Sequence, residues 1–249
     1  MSEPAAPFTG NPNATLGRIL AGIREKQRQG VIAGPVDDAP NPDEPGHPEY
    51  HRRQRAEFAL ERWDTATPPR YKKADAMHPV IQKWADQVAA DPTAAGSLLL
   101  TGTTGTGKTH QAYGALRRIA AAGPTTYEIR ALTAADMYGL LRPKGSERGA
   151  EEELRRLTRV PLLLLDDLGS AKATEWTEEV TYRLVNERYN ACRPSVYTSN
   201  FPARAELDEH GRPLGPDLIH ILGDRIVSRL AEDTTVVDMS GPDLRRRTA

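Results

Sequence analysis

The run Leu98-Leu99-Leu100-Thr101-Gly102-Thr103-Thr104-Gly105-Thr106-Gly107-Lys108-Thr109 constrains the fold of this chain more than any other segment. Three leucines read as a buried strand. The residues after Thr109 read as a helix with Ala112, Leu116, Ile119 and Ala120 on one face. A buried strand that runs through a glycine turn into a helix opens a parallel sheet with helical crossovers. The turn has its own chemistry. Its glycines let successive backbone N–H groups curve around phosphate oxygens, which a Cβ would obstruct. Lys108 adds a point charge for the outer phosphates, and the Thr109 hydroxyl can ligate Mg2+. The helix that follows turns its positive end toward the same anion. Gly102, Thr103, Thr104, Gly105, Thr106, Gly107, Lys108 and Thr109 are therefore expected to hold a nucleotide, ATP with Mg2+. The alternative is a Gly/Thr-rich surface turn.

Elsewhere apolar strand patterns alternate with helical ones. Strands are expected at Ser97–Thr101, Thr125–Ile129, Leu162–Leu165, Ser195–Ser199 and Thr234–Asp238. Trp176, Val180 and Leu184 form one helical stripe, and Leu218, Leu222, Ile226 and Leu230 form another. Five apolar strands with helical crossovers give an α/β fold of three layers, a parallel sheet covered on both faces. The 249 residues allow one such core and a smaller appendage. A formal net charge of −1 excludes a global polycation, so any nucleic-acid contact must be a local patch. The single cysteine, Cys192, excludes an intramolecular disulfide and a cysteine metal cluster, and reads as inert. No basic and apolar leader opens the chain, and no apolar run approaches the ~20 residues of a membrane span. A cytoplasmic protein with no membrane partner is expected.

Residues 1–65 differ in character from residues 66–249. Met1–Asn13 and Ala33–Pro48 are rich in Pro, Gly and small or acidic residues and read as flexible linkers. Between them Leu16, Ile19, Leu20 and Ile23 recur at helical spacing, and a second helix is expected over Glu49–Trp63. Two short helices on Pro-rich tethers bury little surface alone. They dock on the main domain or lie in the groove of a partner protein, with membrane-surface binding a weaker third reading.

The second acidic signal is Leu162-Leu163-Leu164-Leu165-Asp166-Asp167-Leu168-Gly169. A four-leucine strand delivers its carboxylates to the carboxyl edge of the sheet, where open parallel sheets hold ligands. Asp166 is expected to hold Mg2+ through water, and Asp167 to polarise the water that attacks the γ-phosphate. An Asp-Asp turn capping a strand is the alternative. At the end of the next strand, Asn200 offers a neutral donor able to distinguish ATP from ADP, or else stabilises a turn before Pro202. Arg225 and Arg229 share one face of a helix beside the Leu222, Ile226 and Leu230 stripe. They either pair with surface carboxylates or reach the nucleotide of a neighbouring subunit.

These motifs together resemble the AAA+ ATPases of the DnaC type, the bacterial replicative-helicase loaders, and the related IstB transposition helpers. The resemblance spans about Pro68 to Arg246. It includes Pro68-Pro69-Arg70-Tyr71, Gly-Thr-Gly-Lys-Thr-His at 105–110 and Leu-Asp-Asp-Leu-Gly at 165–169. It continues through Val185-Asn186-Glu187-Arg188-Tyr189, Arg193-Pro194, Thr198-Ser199-Asn200 and Gly223-Asp224-Arg225 to Arg229-Leu230. The resemblance implies a P-loop AAA+ ATPase domain with ATP bound between subunits of a homo-oligomer. Asn200 then matches the sensor asparagine, Arg229 the arginine finger with Arg225 next in order, and Arg70, Tyr71 and His110 belong to the nucleotide site. It also implies a replicative helicase as partner and single-stranded DNA on the inner face, where Lys144, Arg148, Arg155, Arg156 and Lys172 are candidate contacts. A transposition helper, and a nucleotide-switched adaptor that does not hydrolyse ATP, are the alternative functions. Only eleven residues follow Asp238, so no full lid domain is expected, and Arg245 or Arg246 is left to take the place of a lid's sensor arginine. The carboxylate at 167 is Asp where many AAA+ enzymes use Glu.

Overall fold

The computed structural model describes residues 41–205 and 207–246, together with Glu25. The expected helix through Leu16, Ile19, Leu20 and Ile23 lies outside the described residues. Two compact units divide the chain, Met1–His47 and Pro48–Ala249. The second therefore begins ahead of the compositional boundary at 65/66. Asn41–His47 of the first is a run of turns, in which the Glu44 and His47 N–H groups donate to the carbonyls of Asn41 and Glu44.

Strands β1 (Ser97–Thr101), β2 (Ile129–Thr133), β3 (Leu162–Asp166), β4 (Ser195–Thr198) and β5 (Thr234–Asp238) form one sheet in the order β2-β3-β4-β1-β5. Every pairing is parallel, with Leu99 opposite Tyr197 and Val236, and Leu164 opposite Ala131 and Val196. Alternation along the strands splits the core in two. Leu98, Leu100, Leu162 and Leu164 join the core beneath α1 (Pro48–Ala66), α2 (Pro79–Ala90) and α3 (Lys108–Ala122). Leu99, Leu163, Leu165 and Tyr197 face the opposite layer. That layer comprises α4 (Ala134–Leu141), α5 (Ala150–Arg159), α6 (Glu175–Asn190), α7 (Leu218–Leu222) and α8 (Asp224–Glu232). Each fully buried leucine stabilises the fold by roughly 1.5–3 kcal/mol relative to exposure.

Local chemistry starts and stops these helices. The Thr174 hydroxyl accepts the Thr177 N–H and the Thr177 hydroxyl accepts the Thr174 N–H, a capping box that opens α6. Helix α1 packs along α3, burying Ala59 and Trp63, whose indole N–H donates to the Tyr113 carbonyl at 3.1 Å. Arg55 donates to the Gly123 carbonyl at 3.0 Å and Arg52 to that of Ala122 at 3.4 Å, satisfying the carboxyl end of α3. Docking on the main domain is thus what the second N-terminal helix does.

Two expectations need correction. The strand expected at Thr125–Ile129 lies at Ile129–Thr133. Thr125 and Thr126 are exposed, and Tyr127 leaves the strand pattern by burying its ring and donating its hydroxyl to the Leu116 carbonyl at 2.9 Å. The stripe Leu218, Leu222, Ile226 and Leu230 is buried throughout but belongs to two helices. Gly223, at φ 85°, separates them, and a Cβ there would lie 2.8 Å from the Glu178 carboxylate.

Candidate functional site

Strand β4 lies between β1 and β3, so the carboxyl ends of all three meet at one place. The glycine turn leaves β1 there with Gly102, Gly105 and Gly107 at φ 128°, 92° and 92°, conformations that L side chains rarely adopt. Lys108, at the start of α3, is 5% exposed. Its ammonium folds back over the turn and donates to the carbonyls of Gly102 at 2.8 Å and Thr103 at 2.7 Å. Burial lowers its pKa, opposed by the charges of Asp167 and Asp166.

A chain of hydrogen bonds ties this turn to the acidic strand end. The Thr109 hydroxyl donates to Asp166, 3.0 Å from Oδ1 and 3.2 Å from Oδ2. The Thr198 hydroxyl donates to the same Oδ1 at 2.6 Å and accepts the Asp167 N–H at 2.9 Å. The Asn200 amide then donates to Asp167 Oδ1 at 3.3 Å. Thr109, Asp166, Asp167 and Asn200 are thereby brought together as the sequence implies. Burial raises the Asp166 carboxyl above the usual carboxylate range, and the neighbouring Asp167 charge adds to this, against the Thr198 and Thr109 hydrogen bonds. Asp167 takes φ 56°, left-handed for a residue with a side chain, so the backbone at the acidic pair is strained.

The donor set fits Mg2+. A hydroxyl and a carboxylate, both hard oxygen ligands, stand in contact at the amino end of α3. Among the described residues no group of three or more His, Cys, Asp or Glu could hold a metal alone.

Tyr71, in the turn Pro69–Tyr71, stacks on Tyr113 at 4.7 Å between ring centres. Tyr113 lies one turn along α3 from Thr109. Burial, with the Asp166 charge and Tyr71, pushes its hydroxyl up to about 12. The next segment crosses α3 at Gly114, where a Cβ would lie 2.2 Å from the Asp75 backbone. Gln111 accepts the Met77 and His78 N–H groups at 2.8 and 3.2 Å. Arg70 is exposed, and His110 is half-buried on α3.

Arg225 and Arg229 meet other partners. Both lie on α8 over rings of α6: Arg225 is 4.4 Å from the Tyr182 centroid and Arg229 is 5.2 Å from that of Tyr189. Arg229 also pairs with Glu232 at 3.4 Å. Among the DNA candidates, Arg148 pairs with Glu153 at 3.5 Å and Arg155 with Glu152 at 2.8 Å.

Three features escaped the sequence reading. Thr198 was legible only as part of the Thr-Ser-Asn motif. Arg188, 1% exposed, donates to Ser195 and to the carbonyls of Leu157, Val160 and Pro194 at the amino ends of β3 and β4. Residues 239–246 form a strap along the glycine turn. The Met239 N–H donates to the Thr101 carbonyl at 2.8 Å and the Leu244 N–H to that of Gly105 at 3.0 Å. A Cβ on Gly105 would overlap the Asp243 carboxylate at 2.0 Å, and the Arg245 charge contributes to lowering the Lys108 pKa. A cavity of about 240 Å³ opens beside the turn, lined by Gly102, Thr103, Asn200, Pro202, Leu214 and Asp238 among others. No described helix is long and apolar enough to cross a membrane.

The chain is similar to known ATP-binding proteins. The model of the family described as IstB-like ATP binding protein matches residues 88–249. A putative ATP-binding protein in an insertion sequence of Mycobacterium tuberculosis is 26% identical over 200 residues, covering 79% of this chain and 73% of that protein. The putative ATP-binding protein of insertion sequence IS5376 from Geobacillus stearothermophilus is 27% identical over 151 residues, covering 61% of this chain and 56% of its own length. The crystal structure of the DnaC helicase loader superposes with a TM-score of 0.54 at 25% identity, over 69% of this chain and 99% of that one.

Proposed function

This chain belongs to the IstB-like ATP-binding proteins, and we propose that it hydrolyses Mg2+–ATP on DNA as the helper of an insertion-element transposase. One observation carries the hydrolytic reading: the unbroken hydrogen-bond chain from Thr109 through Asp166, Thr198 and Asp167 to Asn200. The turn at 102–109 cradles the phosphates, and Lys108 swings from the loop carbonyls onto the outer ones. Thr109 and Asp166 hold Mg2+, which draws charge from the γ-phosphate when bound. Asp167 orients and polarises the attacking water, and Asn200 senses the γ-phosphate. Arg229, or Arg225, acts on the nucleotide of a neighbouring copy. Both lie on α8 over the Tyr182 and Tyr189 rings, and the resemblance to AAA+ ATPases supports this role. Residues 66–249 are the ATPase, residues 1–65 carry the partner contact, and α1 also braces α3.

The transposase reading rests on the two insertion-sequence relatives. Loading of a replicative helicase on single-stranded DNA is the second reading, favoured by the likeness to the DnaC helicase loader across nearly all of that chain. ATP turnover of the full chain separates them. Stimulation by duplex DNA supports the first, and stimulation by single strands the second. Absence of Mg2+-dependent ATP binding overturns both. Lys108→Ala should weaken ATP binding about 10–100-fold in a direct titration, the loss of charge-assisted hydrogen bonds. Arg229→Ala should bind ATP as the native chain does yet lose about 1,000-fold in DNA-stimulated turnover. Equal turnover would move the role to Arg225.

A further inference from the structure

Thr198 is fully buried at the carboxyl end of β4, in the middle of the sheet. Its hydroxyl has one proton to give and gives it to Asp166 Oδ1, at 2.6 Å the shorter of the two hydrogen bonds reaching that oxygen. The Thr198 Oγ1 itself accepts the Asp167 N–H. Its carbonyl accepts the Leu168 N–H at 2.7 Å. One residue thus grips three consecutive positions of the neighbouring strand end.

We infer that Thr198 is the positioning residue of the Mg2+–ATP site. It selects which Asp166 oxygen faces the metal and holds Asp167 in its left-handed backbone. This inference rests on the ATP reading above. Both hydroxyls that reach Asp166 converge on Oδ1, while Oδ2 takes only the 3.2 Å leg from Thr109. Oδ2 would therefore be the oxygen left to turn toward Mg2+, with the carboxylate plane fixed by Thr198. The Asp167 N–H, anchored on the same hydroxyl, holds φ at 56°, from which the Asp167 side chain meets Asn200. Asn200 leaves the same strand two residues later, so metal ligand, water-polarising carboxylate and γ-phosphate sensor share one anchor. Partners of this kind around a metal ligand alter metal affinity or activity by about 10–100-fold.

The test uses the full chain and a fluorescent ATP analogue, titrated at several Mg2+ concentrations and in EDTA. Thr198→Val keeps the shape and deletes the hydroxyl; Thr198→Ser restores it. For Thr198→Val the Mg2+ concentration that half-saturates nucleotide binding should rise about 10–100-fold, with binding in EDTA unchanged, and Thr198→Ser should recover the native Mg2+ dependence. Equal weakening with and without Mg2+, or an unchanged Mg2+ requirement, overturns the inference. Where Thr198→Val melts below the assay temperature, Thr198→Ala is read in the same way. A native chain that binds no nucleotide at any Mg2+ concentration overturns the ATP reading itself, a result distinct from the other two.

Discussion

Strands β3 and β4 carry an ionisable group at each end, the buried Arg188 beneath their amino ends and the half-buried Asp166 at their carboxyl ends. At the Arg188 end every donor of the guanidinium meets a fixed acceptor: the Ser195 hydroxyl and the carbonyls closing α5 and opening both strands. Burial lowers Arg188 to about 10, which leaves it charged at neutral pH. The carboxyl end of the α5 dipole adds favourable potential. At the Asp166 end two carboxylates adjoin, one with a raised pKa and the other on a left-handed backbone. The same two strands hold a fully satisfied charge at one end and an unresolved one at the other. Unresolved charge and strained backbone concentrate where a ligand's own charge can settle them.

The largest effect that would break this contrast is at Arg188. Arg188→Ala leaves several buried carbonyls unpaired, and should cost about 3–5 kcal/mol of unfolding free energy in a denaturant titration. A loss near zero would show that water replaces the guanidinium and that the two ends are not opposites. The smaller effect has the other sign. Asp166→Asn keeps an Oδ1 acceptor for both threonine hydroxyls and removes a half-buried negative charge beside Asp167. It should stabilise the nucleotide-free chain by about 0.5–2 kcal/mol and abolish Mg2+-dependent turnover. The pH dependence sharpens the point. Burial raises the folded Asp166 pKa above its unfolded value, so between the two the folded state holds more proton. Stability falls as pH climbs through that window, and the advantage of Asp166→Asn should be full above it and vanish below it. Thermal melts of both chains across that range measure the difference.

What was readable in advance follows the same division. The β1 strand, the glycine turn and α3 stand where the pattern put them, because strand period, glycine spacing and helix period each act over a few neighbouring residues. The role of Arg188 was hidden although its motif stood out. Its partners are mostly backbone carbonyls at 157–161 and 194, and no side-chain pattern records an acceptor carbonyl. Thr198 was hidden for a related reason, because its partners belong to a strand reached only through the sheet order. The Thr-Thr-Tyr stretch at 125–127 has the residue types of a strand, yet a buried Tyr127 hydroxyl needed a carbonyl and found that of Leu116. Gly223 broke a stripe whose apolar spacing continues across it.

The strap at residues 239–246 has a practical side. Its backbone is stitched to Thr101 and Gly105, and Leu244 lies 3.6 Å from where a Cβ on Gly107 would stand. A bulky fluorophore attached to the exposed Arg245 would stand against the turn proposed to cradle the phosphates. Its bulk would compete with nucleotide for the same approach and be mistaken for a weak affinity.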